Sequence, residues 1–443
     1  MAIRVGRRGV LPQCGPGGPA TPRRRPRGMC LAPDTRNAGD SAPAEIWWAM
    51  QRLEVLDGLR GYFLVFMVLN HLTFSGGYLL VKLNHGELGY VQDAPGFVFL
   101  SGLLMGQVYG ARMKKHGYKA GASKIYHRVF ELYRYTAGCL LAIIALGFLL
   151  TESSVYWEPW LWQLARNDWG FALAAAALLY QPTYMDILPQ YIVYLALSPP
   201  LVWLCVTGRW RKVVIGSWML WLGVQFGIHL PLASAIDAVM GALYPGLVLR
   251  AHFNVLAWQI VFVGGLVLGC LASTGQLNWQ RVFDPTRRGL VEASLCIVLF
   301  FMIWRLGMTW ELFPEAMQAR LRTLEIRAEF SMMFLLNFAA LSYLVAWLII
   351  GGVRSDSPLA RQAGEGLRAL FTLPFLRLIG RHSLQVYAWH VLVIYLLKAV
   401  DYHQGPFNEL TKTAIAASAV ASLAIPALLK EHRAAAAAVI AEP

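Results

Sequence analysis

Charge is scarce in this sequence. Only 14% of its 443 residues are Asp, Glu, Lys or Arg, whereas 57% are hydrophobic and the mean hydropathy is +0.48. A soluble domain carries about a quarter charged residues, so the deficit excludes an ordinary soluble protein and makes lipid the solvent. Cysteine is also sparse. Of the six, Cys14 and Cys30 lie near the N-terminus, and Cys139, Cys205, Cys270 and Cys296 sit inside apolar runs. No two stand at metal-ligand spacing, which excludes a zinc framework or a disulfide scaffold; they read as small apolar packing residues. No metal site and no bound cofactor is expected. Acidic residues are the scarcer sign, 25 against 39 Lys and Arg, for a net charge of +14. The excess gathers in the N-terminal stretch and a few short loops. Basic loops beside apolar spans are what membrane orientation requires, so the expected partner is a lipid bilayer and not nucleic acid.

The sequence has long apolar runs. The expected fold class is all-α, a polytopic membrane protein of about ten transmembrane helices with both termini cytoplasmic. The spans fall at roughly 58–78, 94–111, 129–150, 187–207, 213–231, 255–273, 289–306, 330–351, 383–400 and 411–430. A further run from Trp169 to Tyr180 is too short to cross a core of ~30 Å at ~1.5 Å per residue. Charge supports leaving it uncrossed. Arg112, Lys114, Lys115, Lys119, Lys124 and Arg128 mark one cytoplasmic loop. The N-terminal stretch, the Arg209–Arg211–Lys212 turn, the Arg281–Arg287–Arg288 loop and the Arg354–Arg381 loop agree with it only if 169–180 does not span. Three segments follow: a disordered basic cytoplasmic tail at 1–45, a transmembrane domain at 46–433 and an Ala-rich tail at 434–443. The first holds the run Arg23–Arg24–Arg25 and no apolar stretch of the kind a secretory signal needs.

Polar residues inside spans are the candidates for chemistry. Span one holds Glu54, Asp57, Arg60 and His71. Arg60 and His71 are eleven residues apart, hence about 20° around a helix and ~16 Å along it, on one face. A neutral imidazole at that depth can take a proton from a hydroxyl, or it can simply pack by hydrogen bonding to a neighbouring helix. Arg60 can bind an anion or anchor at the interface, and Glu54 and Asp57 can orient it or cap the helix. Span two carries Gly102, Gly106 and Gly110, a small-residue seam for close helix approach, with Ser101 beside it. Span nine pairs Ser383 with His390, seven apart and facing alike. Asn254, Trp258, Gln259, Asp186 and Tyr191 open spans four and six, where a structural role is the commoner one.

These strings resemble a known family. Arg60 and His71 form an arginine-x10-histidine pattern similar to the first-span motif of the acyltransferase-3 superfamily. The stretches Glu54–Gly61, Gly96–Gly102, Phe253–Gln259 and Gly380–Leu384 with Trp389–His390 resemble the OpgC branch, across roughly residues 50–400. The resemblance implies transfer of a succinyl group from cytoplasmic succinyl-CoA to glucose hydroxyls of a periplasmic glucan at the inner membrane. It implies catalytic roles for His71 and Asp57, and binding of the acyl-CoA donor by Arg60, Glu54, Ser101 and His390. Acyl-CoA is then a co-substrate and no resident cofactor is needed.

Three rivals stand beside this reading. An acetyl-transferring relative acting on another polysaccharide differs only in acyl group and acceptor. A transporter would share the spans and buried histidines, but no internal repeat or paired broken helices is evident. A glucan-binding receptor or scaffold would tolerate loss of His71. The topology is directly testable. Cysteine labelling at Ser153 should place 151–186 on the periplasmic side, and labelling of Asp186 from the cytoplasm would contradict the ten-span arrangement.

Overall fold

A computed structural model of the chain describes residues 41–441. Contacts divide the chain into residues 1–49 and 50–443, and the fold below is that of the second unit. The expectation for 1–45 falls outside the described residues, apart from the opening turn of the first helix. Among the described residues the protein is all-helical, with one isolated bridge between Tyr180 and Arg250 and no strand. The helices are α1 (Ser41–His71), α2 (Asp93–Leu149), α3 (Ser153–Leu161), α4 (Trp169–Ala176), α5 (Ile187–Val206), α6 (Trp210–Gln225), α7 (Leu230–Leu243), α8 (Val255–Ser273) and α9 (Trp279–Val282). They continue with α10 (Arg288–Thr309), α11 (Glu315–Arg322), α12 (Met332–Ile350), α13 (Pro358–Phe371), α14 (Pro374–Arg381), α15 (Ser383–Gln404), α16 (Glu409–Ser422) and α17 (Ala424–Ala441). The Ala-rich segment from residue 434 extends α17 as far as Ala441.

Seven stretches are long and apolar enough to cross a membrane: α2, α5, α8, α10, α12, α15 and α16 with α17. An eighth forms if α6 and α7, bent by 71° across a short break, count as one. The break is encoded by Gly227 at φ 72°, a conformation that costs a residue without a β-carbon little. The expected second and third spans are joined in α2, whose helical geometry fails at Gly117 (φ 81°, ψ 172°). Arg112 Nε reaches the Ala120 carbonyl at 3.3 Å, and a β-carbon on Gly121 would overlap the Met113 side chain. Residues eight apart would stand ~12 Å apart along a straight helix, so α2 is sharply kinked there. The short run from Trp169 gives only α4, eight residues capped by Asp168 and ended by Leu178 at φ 66°.

Packing at the centre depends on small residues. Gly102 and Gly106 of α2 face the carbonyls of Phe262 and Leu266 on α8, while Gly265 and Gly269 of α8 face those of Phe99 and Leu103. A β-carbon at any of the four would overlap backbone. Without a hydrophobic drive between helices in lipid, such close contact supplies the dispersion that holds them together. A second crossing holds α1 against the end of α13 and against α14. Gly58 lies on the Phe371 carbonyl, Gly61 on that of Leu376, and Gly380 of α14 on that of Asp57.

Three tyrosine and tryptophan contacts tie α15 to α3 and to the loop before α5. Tyr387 donates to the Tyr184 carbonyl at 2.7 Å and Tyr395 to that of Thr183 at 2.8 Å, while Trp157 Nε1 donates to the Tyr395 carbonyl at 3.0 Å. Asn254 caps α8 by accepting from Leu256 and Ala257, and Trp258 Nε1 donates to the carbonyls of Arg327 and Ala328. Gln259 bonds Ser217, which gives that residue a packing role. Overpacking a tight contact costs about 1–3 kcal/mol or more. Gly106→Leu should therefore lower the thermal midpoint of the detergent-purified protein by several degrees, whereas Gly138→Ala, with open space around it, should leave it within error.

Candidate functional site

The candidate site is built between α1 and α15. Arg60 and His71 project from one face of α1, as their spacing requires, and α15 meets each with a polar side chain. An Arg60 guanidinium nitrogen donates to Ser383 Oγ, and the guanidinium lies 5.7 Å from the Phe97 ring. Its Nε is buried without a partner. Farther along, His71 Nδ1 lies 3.3 Å from His390 Nε2. The two rings stack at 5.4 Å with 30° between their planes, and the Tyr184 ring covers His71 at 4.3 Å.

The protons on these two rings follow from their partners. His390 is buried, and its Nδ1 lies 2.5 Å from the Tyr387 carbonyl oxygen. A carbonyl only accepts, so His390 Nδ1 carries the hydrogen. In a neutral ring Nε2 is then the lone pair, and His71 Nδ1 must donate to it. His71 Nε2 is left as an unprotonated acceptor with no protein partner among the described residues. That is the arrangement of an oriented general base: one nitrogen held by a fixed acceptor, the other free to take a proton. His71 is only half-buried and borders a cleft lined by Thr73, Lys398 and Asp401.

The profile of the family described as OpgC protein matches residues 52–435. This chain belongs to the OpgC family. No curated protein and no solved structure matches it significantly. The matched region contains every candidate residue above, so the OpgC relationship and the geometry concern the same part of the molecule.

The remaining expected site residues are dispersed over this OpgC-family fold. Glu54 lies at the Arg60 end and pairs with Arg377 of α14 at 2.5 Å. Asp57 is one turn from Arg60, with Arg381, Arg377 and His382 also within electrostatic range. Fourteen residues of helix put it ~21 Å from His71, so the two cannot touch one proton together. Ser101 is buried on α2 with its hydroxyl unpartnered. His390 is brought to His71 and not to Arg60. Among the described residues no group of three or more His, Cys, Asp or Glu is placed to hold a metal ion. Cys139, Cys205 and Cys270 are buried and free; Cys296 is free and exposed.

Several residues around His71 went unread in the sequence. Asn70 donates to Asp93 at 2.5 Å, and Asp93 is buried at the start of α2. Arg327, on the loop after α11, acts electrostatically on His71, Asp93, Asp186 and His252. Burial lowers the Arg327 pKa, while Asp186 and then Asp93 oppose that. In the turn between α1 and α2, burial pushes His85 down to about 4, so it stays neutral near pH 7. A buried Lys398 donates to Thr73 Oγ1 at 2.7 Å. These residues are scattered over five segments, and only the folded chain collects them. The tautomers are directly checkable. Nitrogen-15 spectra of histidine-labelled protein should show Nδ1–H rings for His71 and His390, and His390→Ala should turn the His71 signal into a tautomer mixture.

Proposed function

We propose that this protein is a membrane O-acyltransferase that moves a succinyl group from cytoplasmic succinyl-CoA to hydroxyls of a periplasmic glucan. Family membership supports the acyl-transfer class, and one observation carries the mechanism: the Tyr387–His390–His71 hydrogen-bond chain, which leaves His71 Nε2 free. The acceptor hydroxyl gives its proton to that nitrogen as its oxygen attacks the thioester carbonyl. A carbon–oxygen bond forms, the carbon–sulfur bond breaks, and the proton returns from His71 to the departing CoA thiolate. Ester and free CoA are the products, with nothing oxidised or reduced.

Arg60 works at the other end, ~16 Å away along α1. A planar guanidinium suits the phosphates of the donor, and Asp57 beside it acts on Arg60's orientation and not on the proton. Glu54 fixes Arg377, adding a second arginine to that end, and Ser101 offers a buried hydroxyl to the passing chain. The two ends lie at different depths along α1, which supports a donor and an acceptor arriving from different sides. The ten-span arrangement with both termini inside fits the same picture. The 57 residues of α2, about 85 Å of helix, exceed a ~30 Å core and count as two spans broken at Gly117. With α1 added to the eight apolar stretches, the total is ten, and the basic residues flanking Gly117 face the cytoplasm. That orientation belongs to an inner membrane, with the glucan on the far side.

Mass spectrometry of periplasmic glucans with and without the gene reads acceptor and acyl mass together; a 100-dalton increment per acyl group is the succinyl signature, roughly, and unchanged glucans would contradict the proposal. His71→Ala should lower turnover by ~10²–10⁴, the range for loss of a general base. Arg60→Ala should raise the KM for acyl-CoA more than that for the acceptor, and Arg60→Lys should recover part of it. Fully active His71→Ala protein would return this histidine to helix packing.

A further inference from the structure

A buried ammonium stands beside the proposed base and is not used by it. Lys398 is only 6% exposed. Its Nζ donates to Thr73 Oγ1 at 2.7 Å and sits over the Trp160 ring at 3.3 Å from the centroid. No carboxylate among the described residues lies within 4 Å of it. The other buried lysine, Lys412, differs: it has Glu409 at 3.5 Å and two carbonyl acceptors. Asp401, one turn beyond Lys398, accepts from the Ser75 amide and hydroxyl at 3.1 and 3.2 Å through Oδ2, and its buried Oδ1 has no hydrogen-bond partner, so it acts on the Lys398 charge only from beyond 4 Å. Lys398 therefore keeps unfilled donors in a place where an unpaired charge is costly.

Its position relative to His71 gives that charge a use. The Tyr184 ring lies 4.3 Å from the His71 ring and 5.2 Å from Lys398 Nζ, and both residues line the same cleft. Along α15, Ser383 meets Arg60, His390 meets His71, and Lys398 follows. An acyl chain entering from the Arg60 end with its thioester carbonyl at His71 would carry its far end toward Lys398. From this juxtaposition we infer that Lys398 is a specificity-determining residue that binds the distal carboxylate of a dicarboxylic acyl group. The inference rests on the acyl-transfer reading and adds to it the residue that selects the succinyl group. Trp160 supplies a face that favours a cation, and Thr73 fixes its direction. A neutral acyl group would leave the ammonium desolvated and unpaired, which is how a buried polar site rejects an analogue lacking the matching group.

The test uses detergent-purified full-length protein with glucan and two donors, succinyl-CoA and butyryl-CoA, of similar length but different charge. The wild-type protein should prefer succinyl-CoA in kcat/KM by on the order of 10²-fold, the scale of a buried charge pair. In Lys398→Met the succinyl-to-butyryl ratio should fall by a similar factor, and Lys398→Arg should keep much of the preference. Equal use of both donors by the wild-type protein would overturn the inference without any variant. So would a Lys398→Met protein, present at normal abundance, whose two donors lose activity in step. A wild-type protein that transfers neither group would overturn the acyl-transfer reading itself, and is thereby distinct from a failure of acyl selection.

Discussion

Burial takes water away from a polar side chain, and α1 places two of them, Arg60 and His71, on one face. The constraint is satisfied by a single neighbour. Helix α15 brings Ser383 to the first and His390 to the second. The rest of the architecture serves that pairing. The glycine contacts of Gly58, Gly61 and Gly380 fix one end of α1, and tyrosine hydrogen bonds from Tyr387 and Tyr395 fix the loop that covers His71. The Tyr387 carbonyl has a further effect, since it sets the proton on His390 and through it the proton on His71.

The two ends of the α1–α15 pair have different chemistry. The Arg60 end is densely charged, with Arg377, Arg381 and His382 gathered near Asp57, and Glu54 and Glu431 paired to them. The His71 end mixes neutral rings, the buried carboxylate of Asp93, the cation of Lys398 and the loop-borne Arg327. In the proposed reaction the first end meets the anionic donor and the second the acceptor hydroxyl. The proposed reaction, which takes its donor and acceptor from opposite sides of a bilayer, would use such a division.

Much of this was legible in the sequence, for identifiable reasons. Eleven-residue spacing put Arg60 and His71 on one face, seven-residue spacing did the same for Ser383 and His390, and the Gly102–Gly106 seam packs where its period implied. The shortness of the run from Trp169 foretold a helix that stops early. Pairings between distant segments were not legible. Nothing local told that His390 would meet His71 or that Glu54 would pair with Arg377, whereas the separation of Asp57 from His71 follows from helix spacing alone. Gly117 reads as one glycine among many until the backbone shows it left-handed, and a lysine eight residues past a histidine reads as a span-end anchor until its ammonium is found buried. Long-range contact decided each of these, and periodicity carries no information about it.

The central claim is that His71 Nε2 is the base and that the acyl carbonyl comes to it. A structure of the protein with glucan and a non-hydrolysable thioether analogue of succinyl-CoA tests this most directly. The account predicts an acceptor hydroxyl at hydrogen-bond distance, about 3 Å, from His71 Nε2, with the analogue's CoA moiety toward Arg60. A hydroxyl seated on another side chain, with His71 Nε2 bonded only to protein, would contradict it.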